Sequence, residues 1–216
     1  MCLLALFYRV AEDAPVVVGA NREELYRRGG EPPRLLDGPI RAVAGIDPVA
    51  GGTWLGVNAA GVLVAVTNRR KSQEPERPRS RGLLARELLA CPSAAAAVEL
   101  ATRELDTGRY AGCNFLCADA DRAVVLEGAD WLRVRPLPPG LHVMTNGDVH
   151  DERDARCECR SCHTLLIQRR SRIISLAELV QTDIPHRLHV LARIGSKGNQ
   201  RLRRVDAIDG SQALVH

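Results

Sequence analysis

Short apolar runs separated by polar turns recur over the first two thirds of the chain, and most are only long enough for β-strands. The chain opens on a strand-like run at residues 2–10, and a second run follows at residues 16–20 after a short turn. Asn58–Gly61 has the composition of a hairpin turn between strands at 53–57 and 62–66. The remaining runs predict strands at residues 114–119, 123–128, 131–135 and 141–148.

Two segments between these strands have the spacing of helices. Leucines repeat at helical intervals within residues 82–90. Ser93 is suited to cap a second helix over residues 94–105, because its hydroxyl can accept a hydrogen bond from a backbone N–H of the first turn. Residues 27–39, rich in Gly, Pro and charge, predict a loop, and the basic residues 69–81 predict a surface loop or a flap over a substrate site.

The predicted elements follow the order strands, two helices, strands, without β–α–β alternation. Hairpins therefore dominate the connections, and hairpins join antiparallel strands. This order predicts an α+β fold in which helices cover the outer faces of antiparallel sheets.

Composition is that of an ordinary globular chain. The 216 residues are 45% hydrophobic and 26% charged, which suits one domain, or one domain with an appendage. Aromatic residues make up only 3%, so the core must consist of aliphatic side chains. No run approaches the length of a membrane span, and no signal peptide is recognised, so we expect reduced cysteines and a cytoplasmic location. The net charge of +4 is too small to indicate a nucleic-acid partner.

Cys2 stands between the initiator Met and the first predicted strand. A small residue after Met is the condition under which Met is normally removed, and removal would give Cys2 a free α-amino group. With a reference pKa of about 7.7–8.0, that amine can act as the base for the thiol beside it. The sequence therefore makes Cys2 a candidate nucleophile.

Polar side chains stand at or near the ends of three of the predicted strands. Asn21–Glu24 comes after the second strand, and Arg22 within it offers a guanidinium that can hold a carboxylate or lower the pKa of a thiol. Asn68 and Asn146 each follow a Thr at the end of a strand. A side-chain amide at such a position can donate to an oxyanion, but it can also merely close a turn. From the residues alone both interpretations stay open.

Seven segments match one pattern: Met1-Cys2, Asn21–Glu24, Gly51–Asn58, Thr67–Arg69, Ser80–Leu84, Gly112–Leu116 and Thr145–Gly147. In this order they resemble the NRDE family, also called the transport and Golgi organisation protein 2 family. The GGTWLGVN stretch is the most specific of them, and Glu23 stands where the family name has Asp. The resemblance covers about residues 1–156.

That family is similar to N-terminal nucleophile hydrolases of the penicillin acylase and bile-salt hydrolase type. The resemblance implies an α+β, four-layer αββα sandwich of two antiparallel sheets. It also implies an amidohydrolase that cleaves a linear amide, a C–N bond other than a peptide bond, through a Cys-acyl intermediate. No cofactor is expected for this chemistry.

Residue roles follow from the same resemblance. Its implied catalytic residues are Cys2, Arg22, Glu24, Asn68 and Asn146. Among these, Asn68 would donate to the oxyanion, Asn146 would lie near the α-amine, and Arg22 and Glu24 would position the thiol. We assign substrate contact to four further residues, Asn21, Glu23, Trp54 and Asn58.

Two alternatives come from other classes of protein. On the same fold, the chain could be a non-catalytic carrier of a hydrophobic ligand, an acyl lipid or haem, with a role in trafficking or membrane organisation. The second alternative is a metal-binding interaction module built on the C-terminal tail.

The tail, residues 157–216, has little periodicity and no counterpart in the resemblance. Cys157, Cys159, Cys162 and His163 are candidate zinc ligands, although structural zinc sites usually draw ligands from two separated knuckles. Part of this run also has the CxxCH form of covalent haem attachment. The tail could equally be a frame-shifted end that leaves the fold incomplete, or an ordinary diverged terminal region. We therefore predict one domain over residues 1–156 followed by a divergent, irregular tail.

Overall fold

The computed structural model describes residues 3–11, 14–21, 31–151 and 190–194. They form strands and two helices in the order β1 (Leu3–Ala11), β2 (Ala14–Asn21), β3 (Glu31–Leu36), β4 (Ala42–Ile46), β5 (Leu55–Asn58), β6 (Leu63–Asn68), α1 (Arg81–Leu88), α2 (Ala94–Asp106), β7 (Cys113–Ala118), β8 (Ala123–Gly128), β9 (Leu132–Pro136), β10 (Gly140–Met144) and β11 (Val190–Ile194).

The strands form two sheets in which neighbouring strands are antiparallel. The smaller sheet has four strands in the order β10-β1-β2-β11, and the larger has seven in the order β3-β4-β5-β6-β7-β8-β9. The prediction of an α+β fold with two antiparallel sheets is therefore confirmed.

The two sheets pack against each other through an aliphatic core. Alternate residues of β1 are buried, as the two-residue period of a strand requires, and Leu4 and Leu6 are among them. They belong to one cluster with Leu63, Leu116 and Val125 of the larger sheet. This inner face is the core of the sandwich.

Both helices cover the opposite face of the larger sheet. Leu84 and Leu88 of α1 and Ala97 of α2 are fully buried in a second apolar cluster. Each helix begins at a serine cap, Ser80 for α1 and, as predicted, Ser93 for α2. Within the described residues the layers are therefore helix, sheet, sheet, three of the four layers that the resemblance implies.

Two predicted segments differ from the structure. The loop predicted over residues 27–39 contains β3, and β4 after it was not predicted. Consecutive prolines in β3 disguised the strand, but proline is tolerated at a sheet edge, where β3 lies, and its pairing with β4 shifts register at this point. The last predicted strand is also shorter, because β10 ends at Met144.

The polar loop predicted over residues 69–81 is anchored to neighbouring elements. Lys71 Nζ donates to the carbonyl oxygen of Tyr110 over 3.1 Å. The hydroxyl of Ser72 donates to the carboxylate of Asp130 over 2.5 Å. These contacts hold the loop against the end of the sheet from which it leaves.

One strand comes from the predicted tail. β11 pairs antiparallel with β2, with Ala192 opposite Val18. In the described residues there is no helix long and apolar enough to cross a membrane.

Candidate active site

The two Thr-Asn strand ends singled out in the sequence meet at one end of the sandwich. Thr67 Oγ1 donates a hydrogen bond to the carbonyl oxygen of Thr145 over 2.8 Å. Asn146 Nδ2 donates to the carbonyl oxygen of Asn68 over 2.8 Å. These bonds join the end of β6 in the larger sheet to the chain that leaves β10 in the smaller sheet.

The first strand begins at this same end. Leu4 pairs with Met144, the last residue of β10, and Leu3 pairs with Asn21, the last residue of β2. The start of β1 is thus flanked by the ends of two neighbouring strands. Cys2 lies outside the described residues, and in the sequence it directly precedes Leu3.

Other predicted site residues also lie outside the described part of the chain. They are Arg22, Glu23, Glu24, Cys157, Cys159, Cys162 and His163. The backbone of Asn21 is described as the end of β2, but its side chain is not. Among the described residues, no group of three or more His, Cys, Asp or Glu is placed to hold a metal ion.

Asn68 and Asn146 differ in how their side chains are used. The Asn68 side chain is exposed. The bond that Asn146 donates goes to the backbone carbonyl oxygen of Asn68 and not to its side chain. The Asn146 amide nitrogen is directed at that carbonyl and so fixes the backbone of Asn68. Chemically, the side chain of Asn68 can offer an N–H donor to a bound oxygen, while Asn146 holds the backbone from which that side chain extends.

A row of polar side chains crosses the larger sheet at the same level. Thr67 lies opposite Asn114, Asn114 opposite Glu127, and Glu127 opposite Arg133 on the four strands β6 to β9. Residues directly opposite in antiparallel strands share a face. We call these four residues the polar row. Its first three members are at most 3% exposed.

The polar row lies at the end of the apolar core between the two sheets. Two residues away from the row toward the middle of the sheet, the corresponding positions of β6, β7 and β8 are Ala65, Leu116 and Val125, all members of the core cluster between the sheets. The inner face of the larger sheet therefore changes from apolar to polar next to the junction of Asn68 and Asn146.

Buried polar groups in this row find partners in residues 145–149. Asn114 Nδ2 donates to the carbonyl oxygen of Gly147 over 2.9 Å. The backbone N–H of Val149 donates to Glu127 Oε1 over 3.3 Å. Together with the bond from Thr67 to the carbonyl oxygen of Thr145, these contacts hold residues 145–149 against the polar row.

An ion pair also joins this segment, residues 145–149, to the residue after β6. Arg69 follows Asn68, and its guanidinium pairs with the carboxylate of Asp148. A second nitrogen of Arg69 donates to the carbonyl oxygen of Gly147 over 3.0 Å and to Asn114 Oδ1 over 3.2 Å. The hydrogen bond from Arg69 lowers the pKa of Asp148 below its ordinary value, so this carboxylate is ionised near neutral pH.

Glu127 is a fully buried carboxylate at the centre of this arrangement. Within the described part of the chain its Oε2 makes no hydrogen bond, but the guanidinium nitrogens of Arg133 and Arg135 lie 3.3 Å and 3.7 Å away. Arg133 also lies over the half-exposed ring of Trp131, with 4.5 Å between the guanidinium carbon and the ring centre. Two arginines therefore supply the positive charge that a buried carboxylate requires.

Asn58 lies away from the junction of Asn68 and Asn146, whereas Trp54 lies at the same end of the larger sheet as Asn68, with its carbonyl oxygen accepting the backbone N–H of Val66 over 2.9 Å. Asn58 is buried at the hairpin between β5 and β6, at the opposite end of β6 from Asn68. Its amide nitrogen donates to the carbonyls of Leu89 and Cys91, and its oxygen accepts two backbone N–H bonds of the hairpin. The Trp54 ring packs over Gly45, where an added Cβ would lie 2.6 Å from it. Both side chains are therefore engaged in packing within the described structure.

Asn114 and Glu127 were not predicted as site residues. Each interrupts or ends a buried apolar strand, β7 for Asn114 and β8 for Glu127. A polar residue in such a run needs a partner, and that requirement was the available signal. The identity of the partner depends on strand register, which local sequence does not reveal.

Comparison with known proteins gives one match to a protein family. A sequence model of the family described as "TANGO2: Transport and Golgi organisation 2" matches residues 1–190, which extends past the boundary predicted at residue 156. No curated protein sequence matches the chain.

Solved structures with a similar fold are distant in sequence. Penicillin V acylase from Agrobacterium tumefaciens is 18% identical with a TM-score of 0.46, over 67% of this chain and 52% of that one. The Caenorhabditis elegans orthologue of N-acylethanolamine-hydrolyzing acid amidase is 15% identical with a TM-score of 0.49, over 68% and 70%. The C2A mutant of conjugated bile acid hydrolase from Clostridium perfringens is 15% identical with a TM-score of 0.46, over 72% and 56%. The chain thus spans about half the length of the penicillin V acylase.

Proposed function

Since the chain belongs to the Transport and Golgi organisation 2 family, we propose that it is an amidohydrolase in which the thiol of Cys2 attacks the carbonyl carbon of a linear amide. The observation that carries this proposal is the junction of Asn68 and Asn146 at the end of the sandwich where β1 begins. It supports the proposal because acyl transfer needs a nucleophile and preorganised N–H donors at one place.

The proposed reaction has two halves. After removal of Met1, the α-amine of Cys2 takes the thiol proton, and the thiolate adds to the amide carbonyl. Asn68 Nδ2 donates to the oxyanion that forms, which then collapses to a thioester while the departing amine takes up the proton. Water next attacks the thioester, releases the carboxylic acid and restores the thiol.

Asn68 suits the role of oxyanion donor for a physical reason. Its side chain is exposed at the strand end, while its backbone is held by the amide of Asn146. A donor fixed before the reaction needs no reorganisation when charge develops, which is the basis of oxyanion stabilisation. Because the amide of Asn68 is neutral, it can donate to the oxyanion without adding a charge to the site.

Acylation of the protein by p-nitrophenyl hexanoate tests the proposal without knowledge of the natural substrate. We expect a burst of p-nitrophenolate and a hexanoyl group on Cys2, located by peptide mass spectrometry. Cys2→Ala should remove both signals. Asn68→Asp keeps the size of the side chain but loses the N–H donor, and should slow acylation by about 10²–10³-fold.

Cys91→Ala is the matched control, because Cys91 is a half-buried thiol in the described residues at the far end of α1. Burial raises the pKa of the Cys91 thiol, so it should not compete as a nucleophile. This variant should be acylated like the unmodified sequence. Acylation that persists in Cys2→Ala would show that the proposed nucleophile is not the reactive group.

A further inference from the structure

We propose that Asn114 and Glu127 are positioning residues, which hold residues 145–149 so that Asn146 can fix the oxyanion donor Asn68. This inference rests on the proposed acyl transfer. It adds two residues to the groups on which the reaction depends. Both side chains are fully buried, so neither contacts a substrate.

The segment after β10 alternates between two sets of contacts. The backbone groups of residues 145, 147 and 149 bond to Thr67, Asn114 and Glu127 of the polar row. The side chains of the intervening residues 146 and 148 bond to the backbone of Asn68 and the guanidinium of Arg69. A shift of the segment along the row would therefore move Asn146 away from Asn68.

Asn114 is central because it uses both ends of its amide. The Nδ2 group donates to Gly147 over 2.9 Å, and Oδ1 accepts from Arg69 over 3.2 Å. The side chain is fully buried, so neither bond can be replaced by bulk water. Asn114 therefore bonds to both Gly147 and Arg69, which are also bonded to each other over 3.0 Å, and its planar amide supplies the donor and the acceptor that this triangle of contacts needs.

Glu127 fixes the far end of the same segment. Its Oε1 accepts the N–H of Val149, and its charge is balanced by Arg133 and Arg135. The balance lets a carboxylate stay in a fully buried position. In this way the edge strand β9 is connected, through Glu127, to the segment that carries Asn146.

Asn114→Asp tests the inference because it changes the donor end of the side chain and little else in size. The carboxylate would face the carbonyl oxygen of Gly147, which would lose the donor of Asn114 and keep only the bond from Arg69. Two rates are compared. Acylation of Cys2 by p-nitrophenyl hexanoate passes through an oxyanion, whereas alkylation by iodoacetamide is a direct displacement without one.

We expect Asn114→Asp to slow acylation by about 10²-fold, the size of effect that a small misplacement of catalytic groups produces. Alkylation of Cys2 should stay within about 3-fold, since the substitution leaves the nucleophile itself unchanged. Glu127→Gln keeps an acceptor for Val149, and should therefore slow acylation less than Glu127→Ala.

Asp119→Ala provides the control for lost stability. Asp119 lies just beyond the opposite end of β7 and accepts backbone bonds from Ala94, Asp121 and Arg122. Its loss should lower the melting temperature without changing either rate. If Asn114→Asp slows both rates equally, or neither, the positioning role is wrong. If the unmodified sequence is not acylated at Cys2, the proposed function itself is wrong, and the two failures are thus distinguished.

Discussion

Arg69 and Asp148 form an ion pair that ties the end of β6 to the segment after β10. The hydrogen bond from Arg69 is the main cause that lowers the pKa of Asp148, partial burial opposes it, and the charges of Arg69, Arg133 and Arg135 add to the lowering. The pair is partly exposed, so its net contribution to stability is modest. The pair is important because of its position: Arg69 directly follows Asn68, and Asp148 directly follows Gly147.

The lowered pKa of Asp148 predicts a pH-dependent stability. A carboxylate whose folded pKa lies below its unfolded value, about 3.9, stabilises the fold fully above that pH and loses the contribution as the pH falls through the folded pKa. Asp148→Asn should therefore be less stable than the unmodified sequence at pH 6, and the difference should shrink below about pH 4.

Thermal melts of both proteins between pH 3 and pH 7 measure this difference. Asp121→Asn is a control, because the carboxylate of Asp121 is exposed and its ion pair within the described residues is a loose one, with Arg9 at 3.8 Å. A gap between Asp148→Asn and the unmodified sequence that is constant across this range would contradict the assignment.

At this scale the sequence predicted the two asparagines at the strand ends of the candidate site but not their buried support. Asn68 and Asn146 were visible because a polar residue at the end of an apolar run stands out. The bonds from Asn114 to Gly147 and from Val149 to Glu127 join residues more than twenty positions apart. Such contacts depend on tertiary packing of two sheets, and no local pattern encodes them.

Among the elements, the hairpin of β5 and β6, the capped helix α2 and the strands β7 and β8 follow from local pattern. The strand β3 does not, because Pro32 and Pro33 read as a loop until their place at a sheet edge is known. Two adjacent glycines such as Gly51 and Gly52 are typical of a tight turn or of a close backbone approach. Gly51 has a positive φ of 67°, and Gly52 lies against the backbone of Gly82 at the start of α1.

Gly52→Ala should loosen the packing of α1 on the sheet. A Cβ at Gly52 would lie 2.5 Å from the carbonyl carbon of Gly82, and backbone cannot rotate away as a side chain can. We expect a loss of about 1–3 kcal/mol in the free energy of unfolding, measured by urea denaturation.

Gly38→Ala is the matched control for this substitution. Its nearest neighbour to an added Cβ is a carbonyl oxygen 3.8 Å away, an ordinary contact. The change in stability should stay within about 0.5 kcal/mol. Equal effects at both glycines would contradict the close approach of Gly52 to α1.

For the whole molecule, the described residues form a layer of two helices, a seven-stranded sheet and a four-stranded sheet. The polar row lies where the apolar core between the sheets ends. The candidate site is therefore at the end of the sandwich where hydrogen bonds join the larger sheet to the segment after β10. β11 comes from the region predicted as a divergent tail, and it forms the edge of the smaller sheet beside β2.

The pairing of β11 with β2 can be tested by proline at two successive positions. In an edge strand, alternate backbone N–H groups point to the neighbouring strand and away from it. Leu191→Pro and Ala192→Pro should therefore differ: one should lower the free energy of unfolding by about 1–3 kcal/mol and the other much less. Two equal, negligible effects in urea denaturation would show that β11 does not contribute to the stable sheet.

The central claim is that Cys2 and Asn68 act on the same carbonyl group. The most direct test is the distance from Cys2 Sγ to Asn68 Nδ2 in a crystal structure of the chain that begins at Cys2. Reacting atoms about 3.5 Å apart, a C=O bond of about 1.2 Å and a donor about 3 Å from the oxygen limit this distance to about 7 Å. We predict a value within that limit, and a separation beyond about 10 Å would contradict the account.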